Sequence, residues 1–380
     1  MRIAVIADDL TGALDTGVQF TQWGFTAQLT DTPEHSVAEV TIVNTDTRNK
    51  TPEIAYQVTY NVAEKLDQHD IIYKKIDSTL RGNPGPELQA ILDATGETNA
   101  ILTPTHPPTQ RRVKDGHLYI ADTLITETDY IHEYRKKTSY IPEILDLEQI
   151  VHTLKTPENI PPKGITIIDS DTEKDLLQIA AQGTRVMAGS AGLANALCQT
   201  LRNPPPVLTI IGSMRTETRT QAEQLQRRLG VATISLDTIK ALNQTPQHET
   251  LRRAKDALNQ GQDVILTSTP STDIIEKTRQ EAKRLNMPPE ELETMITSAL
   301  AEMTEALLDY TLSGIIITGG ATARAITERL GIENIQILDE VQPGVPVLKL
   351  DRLTAVTKAG GFGQADTLIQ ATQYLKRKHG

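Results

Sequence analysis

The stretch Ile3-Ala4-Val5-Ile6-Ala7-Asp8-Asp9-Leu10-Thr11-Gly12 decides how this chain is read. Five apolar residues of strand character run into two carboxylates, and a hydroxyl and a glycine follow where a helix opens. In open α/β sheets, ligands bind beyond the carboxyl ends of the strands. Asp8 and Asp9 therefore stand where a polyol, a metal ion or a transferable proton would sit. Aspartate is also a favoured N-cap, so capping of the following helix is an equal reading of the same two residues at this point.

Outward from that junction, short apolar runs alternate with helical stretches. Ile3–Ala7, Val40–Val43, Ile71–Ile76, Ala100–Leu102, Ile165–Ile168 and Arg185–Ala188 read as strands. Pro52–Leu66 reads as a helix with Thr51 as its cap and proline in its first turn. Such alternation predicts parallel sheets covered by helices. Asn203-Pro204-Pro205-Pro206 is the boundary, because consecutive prolines stiffen a connection and forbid a helix through it. The pattern then restarts with Val207–Ile211, Val231–Leu236, Val264–Ser268, Gly314–Thr318 and Val345–Leu350. Pro288–Tyr310 reads as a long helix, its apolar residues Leu292, Met295, Ile296, Ala299, Leu300 and Met303 spaced as a core-facing stripe. Thr123–Pro162 has weak periodicity and reads as excursions over the first domain. The fold class expected is α/β: two doubly wound domains with largely parallel sheets, residues 1–203 and 207–380, and an interdomain cleft for ligands.

Composition narrows the chemistry. The 380 residues leave room for two or three domains at roughly 100–200 residues each. A formal charge of −11 argues against a nucleic-acid partner, which needs a broad basic surface. No apolar run approaches the ~18 residues that a membrane span requires. A single cysteine, Cys198, excludes an internal disulfide and suits a reducing compartment. Met1 runs straight into a strand pattern without a leader, so a cytoplasmic location is expected. The histidines show no zinc-site spacing. Nothing here identifies a metal ligand, and homo-oligomer formation is left open.

A second polar strand end follows Ile71–Ile76, with Lys75, Asp77, Ser78, Thr79 and Arg81 leading into Gly82 and Gly85. Strand alternation puts Lys75 and Asp77 on one face and Lys74 and Ile76 on the other. An arginine fork suits a carboxylate, and aspartate and serine suit sugar hydroxyls. The competing reading is a capped helix start with Arg81 solvated, but four polar groups and two glycines exceed what a cap needs. Arg48, after the strand Val40–Val43, can add a cation to the same crevice or lie on a surface turn. Thr105–Gly116, with His106, Arg111, Arg112, Lys114 and Asp115, is a further basic stretch.

Glycine-rich turns after strands recur at Gly189–Gly192, Gly212-Ser213, Gly319-Gly320-Ala321-Thr322 and Gly360-Gly361-Phe362-Gly363. Helix N-termini preceded by glycine offer free N–H groups and a positive dipole end to phosphates. Three such turns in the second half predict a nucleotide-phosphate site there. No GxxxxGK[ST] occurs, and the dinucleotide fingerprint lacks its βαβ context.

Taken in order, Ile6-Ala7-Asp8-Asp9-Leu10-Thr11-Gly12-Ala13, Lys75-Ile76-Asp77-Ser78-Thr79-Leu80-Arg81-Gly82-Asn83, Ala188-Gly189-Ser190-Ala191-Gly192-Leu193-Ala194, Gly319-Gly320 and Gly360-Gly361-Phe362-Gly363 resemble the four-carbon acid sugar kinase family. The resemblance spans nearly the whole chain. It implies a two-domain α/β kinase with a sugar-acid-binding N-terminal domain and an ATP-binding C-terminal domain. It further implies that Asp9, Arg48, Lys75, Asp77, Ser78, Thr79 and Arg81 face the acid, and that Ser213, Gly319 to Thr322 and Gly360 face the nucleotide. This chain departs from the family at Ala321, where an acidic residue is usual, at Gly361, where asparagine is common, and at Arg215, where a second serine often stands.

The activity expected is ATP-dependent phosphorylation of a terminal hydroxyl on a threonate, erythronate or 3-oxo-tetronate. Arg81 and Lys75 would hold the carboxylate, Asp8 would contact the substrate, and Asp9 and Asp77 would be the catalytic residues, orienting hydroxyls, with Asp9 as the base. The glycine turns, Gly361 among them, would cradle phosphates bridged by Mg2+, with Lys358 neutralising charge. A non-catalytic sensor of sugar acid or nucleotide, and a nicotinamide-dependent oxidoreductase, are the rival classes.

Overall fold

A computed structural model describes residues 1–133, 137–157, 164–213, 215–268 and 271–379. The chain divides into two compact units, Met1–Asn203 and Pro204–Gly380. No helix among the described residues is long and apolar enough to cross a membrane.

The strands of the first unit are β1 (Ile3–Ala7), β2 (Ala27–Leu29), β3 (Val40–Asn44), β4 (Ile71–Lys75), β5 (Asn99–Thr103), β6 (Arg111–Lys114), β7 (His117–Ile120), β8 (Thr123–Leu124), β9 (His152–Lys155), β10 (Gly164–Ile168) and β11 (Val186–Gly189). Eight of them form one sheet in the order β2-β3-β1-β4-β11-β5-β10-β9, and every pair in it is parallel. The helices are α1 (Leu10–Gln22), α2 (Pro52–Leu66), α3 (Pro84–Thr95), α4 (Ile141–Leu147), α5 (Glu173–Ala180) and α6 (Ala191–Arg202). Because side chains alternate across a strand, Ala4 and Ile6 enter one core with residues of α2 and α3, while Ile3, Val5 and Ala7 enter the other with α1 and α6. A parallel sheet buried on both faces explains the unbroken apolar runs. Strand β3 lies on one side of β1 and β4 on the other, so the chain reverses its winding there and opens a crevice beside Asp8 and Asp9.

The second unit contains β12 (Val207–Ile211), β13 (Ala232–Ser235), β14 (Val264–Thr267), β15 (Gly314–Thr318), β16 (Ile335–Gln342), β17 (Val345–Leu350) and β18 (Leu353–Lys358). Their order is β13-β14-β12-β15-β18-β17-β16. The first five are parallel, and β17 and β16 fold back antiparallel. Helices α7 (Thr216–Leu229), α8 (Thr238–Leu242), α9 (His248–Asn259), α10 (Thr272–Arg284), α11 (Pro289–Leu307), α12 (Gly320–Arg329) and α13 (Thr367–His379) cover it. Winding reverses between β12 and β15, beside Gly212 and Gly319.

The α/β class and largely parallel sheets agree with the sequence reading; three details differ. Part of Thr123–Pro162 is no excursion, since His152–Lys155 is the edge strand β9 of the large sheet; residues 134–136 and 158–162 of that stretch lie outside the described residues. Strands β2, β6, β7, β8, β16 and β18 went unread. Strand β16 is an edge strand whose residues are mostly exposed, so no buried alternation marks it. Third, only Gly319 of the expected phosphate turns in this unit sits at a helix N-cap. Helix α7 begins at Thr216 with Arg215 as N-cap, and α13 begins at Thr367, beyond Gly363.

Candidate functional site

Asp9 does cap α1: its Oδ1 accepts a hydrogen bond from the Gly12 amide at 3.0 Å. Its other oxygen accepts from Arg48 Nη1 at 2.7 Å, so the capping and site readings of Asp9 hold together. Arg48 also forks onto Asp8, donating from Nε at 2.9 Å and from Nη2 at 3.0 Å. Asp8 is buried. These bonds raise the Arg48 pKa against the opposing effect of burial. Arg48 is thus no surface-turn residue; it ties the end of β3 to the end of β1. Gly82 has a positive φ of 90°, and a Cβ there would come within 2.9 Å of Asp8 Oδ2, so glycine is required where the second loop passes the first.

The pleat of β4 sends its two terminal lysines to opposite faces. Lys75 is 5 % exposed, and its Nζ donates to the Ile76 carbonyl at 3.0 Å. No carboxylate among the described residues is in ion-pair contact with it. A Cβ on Gly12 would lie 3.1 Å from this Nζ. Burial pushes the Lys75 pKa down, opposed by the charges of Asp8 and Asp77. An ammonium has three donors, so Lys75 holds spare capacity for an anion.

Burial alone would raise the Asp77 pKa. Hydrogen bonds from Arg81 and Thr79, with the Arg81 and Arg48 charges, outweigh it and hold Asp77 well below the usual carboxylate range. Arg81 donates from Nε and Nη2 at 3.0 Å each, and the Thr79 hydroxyl and amide both donate to Asp77 Oδ2. The fork expected to grip a substrate carboxylate is therefore engaged by Asp77. The sequence could not show this, because residues i and i+4 meet here in a loop turn. Ser78 is half-buried in the same turn. His106 follows β5, and a Cβ on Gly192 would lie 3.1 Å from its Cδ2. Burial lowers its pKa, with Lys75 and Asp15 among the charges it senses.

In the second unit a cavity of about 710 Å³ opens at the winding reversal, within the size range of small-molecule sites. Gly212, Ser213, Arg215 and Gly319 to Thr322 line one wall. Gly320 has no neighbouring atom within 4 Å of where a Cβ would be, so its backbone is open to a ligand. Ser268 lines the cavity too, and its buried Oγ has no partner among the described residues. The rest of the lining was not foreseen: Ile275, Arg279 and Lys283 come from α10, Leu292 and Ile296 from α11, and Met287 from the connection between them. Leu292 and Ile296 share the spacing of the core residues Leu300 and Met303 and line the cavity, Ile296 also packing against the core. Gly360 packs against Ser213 and Arg215, whereas Gly361 is exposed with open space around it. Neither lines the cavity. Lys358, at the end of β18, is 4 % exposed. Among the described residues its Nζ reaches Thr218 Oγ1 at 3.3 Å and the Gly360 carbonyl at 3.4 Å. Burial brings its pKa down to about 8.

Comparison with known proteins agrees with this division. Residues 3–197 match a family model described as a sugar-binding N-terminal domain, and residues 208–368 one described as a nucleotide-binding C-terminal domain. The D-threonate kinase of Bordetella bronchiseptica is 30 % identical, the alignment covering 99 % of this chain and 98 % of that protein. The D-threonate kinase of Salmonella typhimurium is 27 % identical over 100 % and 99 %, and the D-erythronate kinase of Heliobacterium modesticaldum 25 % over 99 % and 98 %. A crystal structure of a domain of unknown function from Bordetella bronchiseptica, a domain-swapped dimer with bound citrate, shares the fold with a TM-score of 0.61. It is 28 % identical, and the match covers 99 % of each chain. Matched end to end by kinases of four-carbon acids and carrying both domains, this chain belongs to the four-carbon acid sugar kinase family and is a sugar-acid kinase.

Proposed function

We propose that the protein transfers the terminal phosphoryl group of ATP to a terminal hydroxyl of a four-carbon sugar acid such as threonate, erythronate or 3-oxo-tetronate. The observation that carries this reading is Lys75, a buried ammonium with one main-chain acceptor, set among Asp8, Asp9 and Asp77 at the winding reversal of the first unit. A small acid suits that arrangement. Its carboxylate takes the spare donors of Lys75, while Arg81, 36 % exposed and forked onto Asp77, adds positive charge beside it. Hydroxyls donate to the free lone pairs of Asp8, Asp9 and Asp77. Ser78 and Thr79 line the turn.

Asp9 is our choice for the group that orients the attacking hydroxyl and accepts its proton. Asp77, held well below the usual carboxylate range, is a poor base and serves as an orienting acceptor. Phosphoryl transfer asks mainly for alignment and charge neutralisation. In the second unit the cavity takes the nucleotide, with Ser213, Gly319, Gly320, Ala321 and Thr322 along the phosphates and α10 and α11 beside the base. Gly360 and Gly361 act at one remove, Gly360 by packing on Ser213. Lys358 neutralises charge on the transferring group.

Magnesium ions keep several waters and bind through one or two carboxylates plus substrate phosphates. The donor set suits that mode: Glu293 lines the cavity, and no group of three or more acidic, histidine or cysteine side chains is assembled among the described residues. Glu293 and Ser213 would hold the ion, which would supply charge neutralisation on the phosphates. The single cysteine suits a cytoplasmic location, and we extend the dimeric state of the Bordetella structure to this chain, testable by light scattering.

A panel of tetronates and longer aldonates with ATP, read by ADP release, tests the reading. Acid-dependent ADP formation that peaks at four carbons is expected; ATP binding without acid-dependent ADP would make the protein a sensor instead.

A further inference from the structure

Behind the sugar-acid site lies a buried polar chain with no part in the reading above. Lys74 and Glu87 are 0 % and 1 % exposed, with Nζ 3.0 Å from Oε2. Desolvation makes such a pair weak as a stabiliser, and apolar residues of similar size would serve the core as well. Its second contact gives it a purpose. The Thr47 hydroxyl donates to Glu87 Oε1, lies 2.7 Å from the Thr45 hydroxyl, and Thr45 Oγ1 donates to the Ala7 carbonyl at 2.9 Å. Asn83, the N-cap of α3, donates from Nδ2 to the carbonyls of Thr47 at 3.3 Å and Lys50 at 3.2 Å.

Between the two threonines the backbone passes through Asp46 with a φ of 51°, a region that side-chain-bearing residues rarely adopt without outside support. Arg48 comes next, its amide donating to the Asp8 carbonyl at 3.2 Å and its guanidinium to Asp8 and Asp9. A buried carboxylate on α3 thus holds the turn that delivers this arginine.

We propose that Glu87 is a positioning residue: acting through Thr47, with Lys74 as its counter-ion, it fixes the 45–48 turn and so sets Arg48 against Asp8 and Asp9. This rests on the reading that these residues take the acid. Thr47→Val cuts the link while leaving the Lys74–Glu87 pair intact, Thr47→Ser keeps it, and Glu87→Gln weakens it from the other end. Each is assayed in the full-length enzyme with whichever of D-threonate, D-erythronate and 3-oxo-tetronate turns over fastest. Thr47→Val should raise KM for the acid about tenfold, leave KM for ATP within about twofold, and add less than about twofold in an Arg48→Ala background, because coupled residues are non-additive. Thr47→Ser should stay within about threefold of the parent enzyme.

Equal factors in both backgrounds, a KM for ATP that rises in step, or an unchanged acid KM in Thr47→Val would each overturn the positioning role. Should Glu87→Gln not fold, Thr47→Val carries the test. If Arg48→Ala itself leaves the acid KM unchanged, the reading of the site fails and takes the proposal with it. A loss in Arg48→Ala without one in Thr47→Val overturns the positioning role alone.

Discussion

Both units place their candidate sites at the same topological address, yet the two are furnished in opposite ways. Around the ends of β1, β3 and β4 stand Asp8, Asp9, Arg48, Lys75, Asp77 and Arg81, most of them bonded to one another. Around the ends of β12 and β15 stand the uncharged Ser213, Gly319, Gly320, Ala321 and Thr322, with Arg215 beside them, the N-terminus of α12 and an open cavity. The winding of an α/β sheet chooses where a ligand goes; the few residues beyond each strand choose its class. A small polyhydroxy acid needs paired donors and acceptors at fixed places. A polyphosphate needs close backbone approach and N–H groups.

That contrast can be broken. The largest effect expected is from Asp9→Asn, which keeps the cap of α1, since asparagine caps as well as aspartate, but removes the proton acceptor. Turnover should fall about 10²–10⁴-fold while the protein stays folded; near-normal turnover would remove Asp9 as base. Lys75→Met should raise KM for the acid about 30-fold, leave KM for ATP alone, and raise the melting temperature, because a buried ammonium with one acceptor weakens the ligand-free fold. A loss of stability would show that Lys75 is structural. On the other side, Gly320→Ala meets no clash in the protein but intrudes on the cavity. KM for ATP should rise about tenfold with the acid KM unmoved, and the reverse pattern would exchange the roles of the units.

Smallest is a pH effect at Lys358. Its pKa in the folded protein, about 8, lies below that of an unfolded lysine. The unfolded state therefore binds more protons between these values, and stability from this group rises with pH across that window. The charged form binds phosphate, so affinity for ATP should decline about threefold as pH rises through 8 in calorimetric titrations. Lys358→Met should flatten that decline, and a decline that persists in the variant would assign it elsewhere.

How much of this could be read beforehand follows from burial. Strands such as Ile3–Ala7 and Gly314–Thr318 are apolar on both faces because helices cover both, so the run itself announces them. His152–Lys155 and Ile335–Gln342 are edge strands with partly exposed faces and carry no such signature. Asp8, Asp9 and Lys75 were legible from their place at strand ends. The partners were not: Arg48 finds Asp8 across 40 positions, and Arg81 turns its fork onto Asp77. Leu292 was misread as core because a helix facing a cavity and a helix facing a core share one periodicity, while Ile296 serves both, packing on the core and lining the cavity.

The neighbouring lysines of β4 carry one last consequence. Lys74 serves the scaffold and Lys75, under the proposed function, the ligand; only the two-residue repeat of the strand keeps those duties apart. A single residue inserted or deleted between Ile71 and Lys74 would turn each lysine to the face the other now occupies, taking Lys74 away from Glu87 and Lys75 away from the crevice. Length changes in this segment should therefore come in pairs or not at all, while the helix that precedes it has freedom to grow or shrink at its exposed end.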